Sequence, residues 1–261
     1  MKLIKSISGI RGIYNKTLND KIASDFSVSF SDIQQKGPIL LARDTRPHGK
    51  QIYKNIKSSL INSNREVIDC GIIPTPTAQF IINNRKLAGG IVITASHNPE
   101  EWNGLKFIDK DGCFLNANKM QKVLLNTPKK TTTKNLGCES IIKNAYLEHL
   151  SNILNLKCIN LDKICKNKFK VVVDAVNGAA YKALPCLLEK LNCEVIKIHC
   201  KNTGNFPRGT EPTIDNLEDL SKAVINNNAD IGFATDPDAD RLAIVDNKGF
   251  PIGEEATLIL A

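Results

Sequence analysis

Apolar runs alternate with helical repeats along the first half of the chain. Strands are predicted at four short stretches rich in apolar residues, 38–43, 66–70, 87–95 and 105–108. Helices are predicted where apolar residues recur three or four apart, at 49–62, 74–84 and 117–125. The run Gly89–Ile93 carries no polar side chain, which is typical of a strand in a sheet covered on both faces.

The second half repeats this alternation after the polar stretch Thr127–Asn135, which suits a linker. We expect a helix over 139–156 next. Strands are then predicted at 169–174, 193–199, 230–234 and 242–245, and helices at 179–191 and 216–226. Because strands alternate with helices, right-handed crossovers and parallel pairing are expected. The sequence therefore predicts an α/β protein of two consecutive domains with mixed, mostly parallel sheets, domain I over 1–135 and domain II over 136–261.

The last segment, Gly253–Ala261, has acidic residues followed by an apolar stripe, the pattern of a helix start. The stripe stops after about two turns, without a C-cap glycine or a polar finish. An apolar stripe usually packs against another element. We therefore expect that the chain is truncated at this helix.

Composition limits the class of protein. The chain has 261 residues, 42% of them hydrophobic and 24% charged, which excludes disorder for most of its length. No apolar run approaches the roughly 18 residues of a membrane span. The opening Met1–Gly12 lacks the apolar core of a secretory signal, so we expect a cytoplasmic protein.

The formal net charge is +8, from 35 Lys and Arg against 27 Asp and Glu. A basic balance is compatible with nucleic acid, an anionic membrane surface or an anionic small substrate as the partner. Compositional drift is the alternative, since only seven of the 35 basic residues are Arg. No aromatic-rich or helix-turn-helix pattern supports a nucleic-acid binder. We expect neither a nucleic-acid nor a membrane partner.

The eight cysteines contain no Cys-x-x-Cys pair, and the four histidines are spread along the chain. This spacing does not match a zinc site. In a cytosolic protein, isolated cysteines are usually small buried hydrophobes or surface thiols.

The segment Thr94–Pro99 follows the apolar strand directly. Ligands of parallel α/β sheets bind beyond the carboxyl ends of strands, so Ser96 stands where a reactive hydroxyl is useful. His97 and Asn98 can orient that hydroxyl and donate hydrogen bonds to an oxyanion, and Lys106 follows in the sequence as a nearby cation. The alternative is an ordinary turn stabilised by Ser and Asn.

Asp236, Asp238 and Asp240 follow another apolar strand, and Arg241 comes next. Three carboxylates this close repel one another unless a cation neutralises them, and their oxygens suit Mg²⁺, Mn²⁺ or Ca²⁺. An EF-hand is excluded because Arg241 and Asn247 stand where it requires Gly and Glu. Arg241 can hold a phosphoryl oxygen. The alternative is three solvated loop aspartates.

Two further segments place arginines at exposed turns. Arg11 lies between glycines in Ser8–Gly12, and Arg43 opens Arg43–Arg46 at a strand end. Taken with the hydroxyl and the carboxylates, these cations point to phosphoryl transfer.

In order and separation, Ser8–Gly12, Thr94–Pro99 with Asn103-Gly104-x-Lys106, and Asp236–Arg241 resemble the motifs of the α-D-phosphohexomutases. That family includes phosphoglucomutases, phosphomannomutases and phosphoglucosamine mutases. The segments Leu3–Gly12 and Gly253–Leu258 are most similar to the bacterial phosphoglucosamine mutase branch. The resemblance covers the whole chain and implies that hexose or hexosamine 6-phosphate and 1-phosphate are interconverted through a bisphosphate.

The resemblance also implies roles for the site residues. Ser96 would be the phosphoserine, and its phosphate would share one Mg²⁺ with Asp236, Asp238 and Asp240. Lys106 and Arg11 would assist proton transfer at the sugar hydroxyl. The residues expected to bind phosphate or substrate are Arg241, His97, Asn98 and Arg43. A sugar bisphosphate would act as activator, and a phosphosugar would be the substrate.

The chain departs from the family pattern in three places. His48 replaces a small hydroxyl residue, and Gly209-Thr210 replaces an Asn-Pro in a loop of the second half. We expect neither change to touch the chemistry, although both can alter the rigidity of their loops. The third departure is that family domains III and IV are absent. A separate C-terminal half is therefore one expected partner, and an inactive remnant that binds only metal or phosphate is the alternative.

Overall fold

The computed structural model describes residues 2–126 and 136–253, together with Thr257 and Ile259. The predicted linker Thr127–Asn135 lies outside the described residues. Most of the predicted terminal helix over 253–261 lies outside them as well.

The chain divides into two compact units. The first comprises Met1–Ala95 and Glu101–Ala145, and the second comprises Ser96–Glu100 and Tyr146–Ala261. The predicted boundary after residue 135 differs from this division, because the segment 136–145 belongs to the first unit.

The first unit is built on a seven-stranded sheet. Its strands are β1 (Ile4–Ser6), β2 (Gly9–Ile13), β3 (Ile39–Arg43), β4 (Val67–Ile72), β5 (Gly89–Ile93), β6 (Trp102–Asp109) and β7 (Glu139–Ile141). Its helices are α1 (Asp20–Ile33), α2 (Gly49–Asn62), α3 (Thr75–Asn84) and α4 (Ala117–Leu125). The strand order is β1-β2-β6-β5-β3-β4-β7, in which β5, β3, β4 and β7 run parallel and the other pairs antiparallel.

The core of the first unit lies on both faces of β5, whose five residues are all buried. Ile91 faces a cluster that includes Leu41 and residues of α1, α2 and α4. Val92 faces a second cluster, to which α3 contributes Ile81. The prediction of a strand at 87–95 covered on both faces is confirmed, with the strand itself limited to Gly89–Ile93. This packing makes the strand end that precedes Ser96 rigid.

Helix α1 is absent from the sequence-based prediction, and its composition explains why. Apolar residues do recur three or four apart at Ile22, Phe26, Phe30 and Ile33 and pack on the core, but the buried residues Ser27, Ser29 and Ser31 stand among them and dilute the apolar pattern. The Ser27 hydroxyl donates to the carbonyl of Ala23, and the Ser29 hydroxyl donates to the carbonyl of Val123. Hydroxyls satisfied in this way can be buried at little cost.

The expectation of a helix over 139–156 is wrong at its start. Glu139–Ile141 forms β7, which pairs in parallel with β4 through Val67 and Glu139. The edge of β4 offers backbone groups that need partners, and this pairing satisfies them. The helix itself is shorter and begins at Tyr146.

The second unit has a four-stranded sheet. Its strands are β8 (Lys170–Asp174), β9 (Glu194–Ile198), β10 (Ile231–Thr235) and β11 (Leu242–Asp246), and its helices are α5 (Tyr146–Leu154), α6 (Leu161–Asn167), α7 (Ala183–Lys190) and α8 (Glu218–Asn226). The order is β11-β10-β8-β9, with only the β11–β10 pair antiparallel. The prediction of two α/β domains with mixed sheets is confirmed.

Two predicted helices of this unit are shortened by 3-10 turns. Ala179–Tyr181 forms such a turn before α7, and Ile214–Asn216 forms one before α8. Helix α8 packs on one face of the sheet with Val172 of β8, and α7 packs Leu188 on the other face. Within the described residues, no helix combines the length and the apolar character that crossing a membrane requires.

We predict that Leu41→Ala lowers the free energy of unfolding by about 2–5 kcal/mol, because it leaves a cavity in a packed core. Leu41 is fully buried, whereas Leu125 is 75% exposed. Leu125→Ala is therefore the matched control and should change stability by less than about 0.5 kcal/mol. Urea unfolding followed by circular dichroism measures both variants. Equal effects of the two would contradict this placement of the core.

Candidate functional site

Ser96 follows β5 and belongs with the second unit. Its backbone has φ 51°, a left-handed conformation that residues other than glycine seldom adopt. The hydroxyl is buried, and it donates to the carboxylate of Asp236 at 3.1 Å, from Oγ to Oδ2. Ser96 Oγ also lies 3.4 Å from His97 Nδ1. The serine is thus oriented toward the first carboxylate of the aspartate motif.

The aspartate motif forms the turn between β10 and β11. Carboxylate oxygens of Asp236, Asp238 and Asp240 lie within 4.8 Å of one another. The first two residues are fully buried, and the third is exposed. Asp236 Oδ1 accepts the backbone N–H groups of Asp240 at 3.1 Å and Arg241 at 3.2 Å, which closes the turn.

This donor set fits a divalent cation. Three convergent carboxylates raise the local negative charge, and hard oxygen donors of this kind are what Mg²⁺ and Mn²⁺ prefer. Burial of Asp236 and Asp238 strengthens the repulsion, because the surroundings screen charge less than water does. A bound cation would relieve that repulsion and stabilise the turn.

Arg241 and the residues after Ser96 complete the group in the second unit. Arg241 Nη1 donates to Glu211 Oε1 at 2.6 Å, and both side chains are partly exposed. The carbonyl of His97 accepts the hydroxyl of Thr210. His97 and Asn98 are half-buried. The structure therefore brings together Ser96, His97, the three aspartates and Arg241.

The remaining predicted residues, Arg11, Arg43 and Lys106, lie in the first unit. Arg11 on β2 pairs with Gly104 on β6, where an added Cβ would come within 3.0 Å of Arg11 Cγ. Lys106 stands two residues beyond Gly104, so it shares the face of Arg11. It is 3% exposed, and its Nζ lies 5.7 Å from the centre of the Phe114 ring.

The sequence matches domains of one known family. Residues 2–134 match phosphoglucomutase/phosphomannomutase alpha/beta/alpha domain I, and residues 144–249 match alpha/beta/alpha domain II of that family. The chain belongs to the phosphoglucomutase/phosphomannomutase family. The resemblance inferred from the motifs is confirmed, and so is membership of this enzyme family.

A phosphoglucomutase/phosphomannomutase of Thermococcus kodakarensis is 34% identical over 265 residues, covering 97% of this chain and 57% of that protein. A phosphoglucosamine mutase of Nautilia profundicola is 35% identical over 258 residues, covering 95% and 57%. The crystal structure of a phosphoglucomutase/phosphomannomutase family protein from Burkholderia thailandensis has a TM-score of 0.79 at 27% identity, covering 98% of this chain and 58% of that chain. The chain spans about half the length of the curated relatives it matches.

A buried ion pair in domain I of this family member was missed by the sequence reasoning. Arg46 and Asp44 are both fully buried, and Arg46 Nε donates to Asp44 Oδ2 at 3.1 Å. The Thr94 hydroxyl donates to the same carboxylate oxygen at 2.6 Å. The pair ties the end of β3 to the residue that follows β5. Arg43 instead donates to the carbonyl of Asp44 and is only partly buried.

The two departures from the family pattern behave differently. His48 stacks on Tyr14 with ring centres 4.7 Å apart. The expectation that Gly209-Thr210 does not touch the chemistry stays a prediction, and the structure places Thr210 beside the serine segment. Thr210 is bonded to the carbonyl of His97, beside Ser96, and Glu211 holds Arg241. A sequence read along one strand at a time carries no signal for such a loop contact.

Asp174, at the end of β8, is a second buried carboxylate of the domain II sheet. It accepts from Arg208 Nε at 2.7 Å and lies 3.1 Å from His199 Nδ1. Burial raises the pKa of Asp174, but the hydrogen bond of His199 and the charge of Arg208 outweigh it and hold that pKa below its ordinary 3.8. The hydrogen bond to Asp174 in turn raises the pKa of His199 above its ordinary 6.5.

We predict that His199→Gln removes a pH-dependent part of the stability. With its pKa raised, His199 stabilises the fold fully below the unfolded value of 6.5, and this contribution is lost as pH rises through the folded pKa. Relative to the variant, the wild type should therefore lose free energy of unfolding above pH 6.5 in urea titrations.

His149→Gln is the matched control, because burial lowers the pKa of His149. A lowered pKa has the opposite sign: the wild type should lose stability relative to that variant as pH falls below 6.5. Parallel pH profiles for the wild type and His199→Gln would contradict the ion pair with Asp174.

Proposed function

We propose that this chain carries the reactive-serine and metal-binding domains of a phosphohexomutase, which interconverts hexosamine or hexose 6-phosphate and 1-phosphate. The observation that carries the proposal is the bond from the Ser96 hydroxyl to Asp236, within a cluster of three carboxylates. A nucleophile beside a divalent-cation site is the arrangement that phosphoryl transfer requires.

Phosphoglucosamine mutase is the activity we propose first. The name of the Nautilia profundicola relative supports it. Phosphoglucomutase or phosphomannomutase activity is the second candidate, which the name of the Thermococcus kodakarensis relative supports at similar identity. Both candidates use the same serine and the same carboxylates, so they differ in the sugar and not in the transfer step.

In the proposed reaction, Ser96 Oγ carries the phosphoryl group between turnovers. A sugar hydroxyl attacks the phosphorus and gives up its proton, the bond from phosphorus to Ser96 Oγ breaks, Oγ takes up a proton, and a sugar bisphosphate forms. The bisphosphate then reorients in the site and transfers its other phosphoryl group to Ser96 Oγ. Asp236 accepts a hydrogen bond from the unphosphorylated hydroxyl, and so holds Oγ ready for the returning group.

The surrounding residues take supporting roles in this proposal. Asp236, Asp238 and Asp240, with an oxygen of the Ser96 phosphate, would hold one Mg²⁺, which supplies charge neutralisation at the phosphoryl oxygens when bound. Arg241, His97, Asn98 and Arg43 would bind phosphate. Lys106 and Arg11 would assist the proton that leaves the attacking hydroxyl, and a sugar bisphosphate would load the serine.

This chain covers only part of the length of its relatives, and this affects what it can do in the complete reaction. The chain covers 57% of the Thermococcus kodakarensis protein. Binding of the phosphate that is not being transferred stabilises the transition state. We propose that a C-terminal half, as in the relatives, supplies that binding for the complete reaction.

We predict that the purified chain acquires one phosphate when it is incubated with glucose 1,6-bisphosphate and Mg²⁺, and that Ser96→Ala acquires none. Intact-protein mass spectrometry reads the result. Ser58→Ala, an exposed serine of α2, is the matched control and should be phosphorylated like the wild type. A wild-type chain without phosphate, before and after incubation, would support an inactive remnant instead.

We also predict that Asp238→Asn weakens Mn²⁺ or Mg²⁺ binding at least about tenfold, since even residues outside a ligand set change metal affinity by about 10–100-fold. Isothermal titration calorimetry of the unphosphorylated chain measures it. Asp162→Asn, an exposed aspartate of α6, should bind like the wild type. Equal affinities for all three proteins would exclude the cluster as the metal site.

A further inference from the structure

The segment Arg208–Glu211, here called the 208–211 strap, contacts both motifs of the proposed site. One of its residues bonds beside the metal-binding turn, one bonds beside Ser96, and one bonds to Arg241. All of these residues belong to the second unit. The strap therefore links parts of the chain that the proposed reaction needs in fixed positions.

Arg208 anchors the strap in the sheet. Its side chain is 3% exposed, and Nε donates to the buried carboxylate of Asp174 at 2.7 Å. Its Nη2 donates to the carbonyl of Thr235 at 2.7 Å, one residue before Asp236. A buried, charge-assisted pair of this kind is costly to break, so the start of the strap is rigid.

Thr210 carries the contact to the serine loop. Its hydroxyl donates to the carbonyl of His97, and the side chain is buried. Gly209 turns the chain here at φ 80°, and Asn216 Nδ2 donates to the carbonyl of Glu211 at 2.8 Å to close the turn. Ser96 has a left-handed backbone, a conformation that persists only where the surroundings hold it.

Glu211 carries the third contact. Its carboxylate accepts Arg241 Nη1 at 2.6 Å, while the backbone N–H of Arg241 donates to Asp236. One end of Arg241 is thus fixed by the metal-binding turn and the other by the strap.

We propose that Thr210 is a positioning residue, through which the 208–211 strap holds the Ser96 loop in its strained conformation against the metal-binding turn. The use of that position in phosphoryl transfer rests on the proposed function. The hold itself does not, because it is a property of the folded chain.

Three variants test it. Thr210→Val removes the hydroxyl and keeps the shape, Thr210→Ser keeps the hydroxyl, and Thr213→Val is the control at an exposed threonine without a side-chain capping bond. Hydrogen–deuterium exchange of peptides over 94–100 measures the hold. The rate at which glucose 1,6-bisphosphate loads phosphate on Ser96, followed by intact mass, measures its use.

We expect Thr210→Val to speed exchange over 94–100 by roughly 2- to 10-fold, the worth of one hydrogen bond, and to slow loading roughly tenfold. Thr210→Ser and Thr213→Val should match the wild type in both measurements. Unchanged exchange in Thr210→Val would overturn the hold, as would a Thr210→Ser variant that behaves like it. Faster exchange with an unchanged loading rate would overturn the positioning role. A wild-type chain that cannot be loaded would overturn the proposed function, while exchange would still decide the hold.

Discussion

One buried carboxylate, that of Asp236, organises the candidate site. One of its oxygens accepts the Ser96 hydroxyl, and the other accepts the backbone amides that close the turn of the aspartate motif. Because the group is fully buried, each of these bonds is stronger than it would be in water, and an unpaired charge there would be costly. The same residue therefore orients the Ser96 hydroxyl and closes the turn that carries the two neighbouring carboxylates.

Asp174 is a second buried aspartate at a strand end, and it supports the position of Asp236. Asp174 faces no part of the proposed chemistry, yet through Arg208 it reaches the carbonyl next to Asp236. In domain I, Asp44 takes the corresponding part for Thr94, just ahead of the serine loop. Rigid strands thus end in buried, paired carboxylates. The loops that follow these strands can then keep strained backbone conformations, such as the left-handed one of Ser96, which persist only where the surroundings hold them.

Local pattern accounts for what the sequence predicted well and for what it missed. The bounds of α2 and α4 follow from their own apolar spacing, and β5 follows from its unbroken apolar run. Helix α1 was missed although Ile22, Phe26 and Phe30 have helical spacing, because serines stand among them and dilute the pattern. Strand β7 was missed because its three residues are exposed and it forms only by pairing with β4. Ser96 and the aspartates are recognisable from strand ends and charge. The strap is not, since Thr210 and His97 are 113 positions apart in the sequence and meet only in the fold.

The segment Ser96–Glu100 belongs to the second unit although it lies within the sequence of the first, so the two units cannot be separated by a single cut. The polypeptide leaves domain I for these residues, returns at Glu101, and leaves again at Tyr146. A fragment that begins at Tyr146 would carry the carboxylates without the hydroxyl, and a fragment that ends at Ala145 would carry the hydroxyl without the carboxylates. A break in the chain at the apparent domain border would therefore place the Ser96 hydroxyl and the three carboxylates on separate fragments.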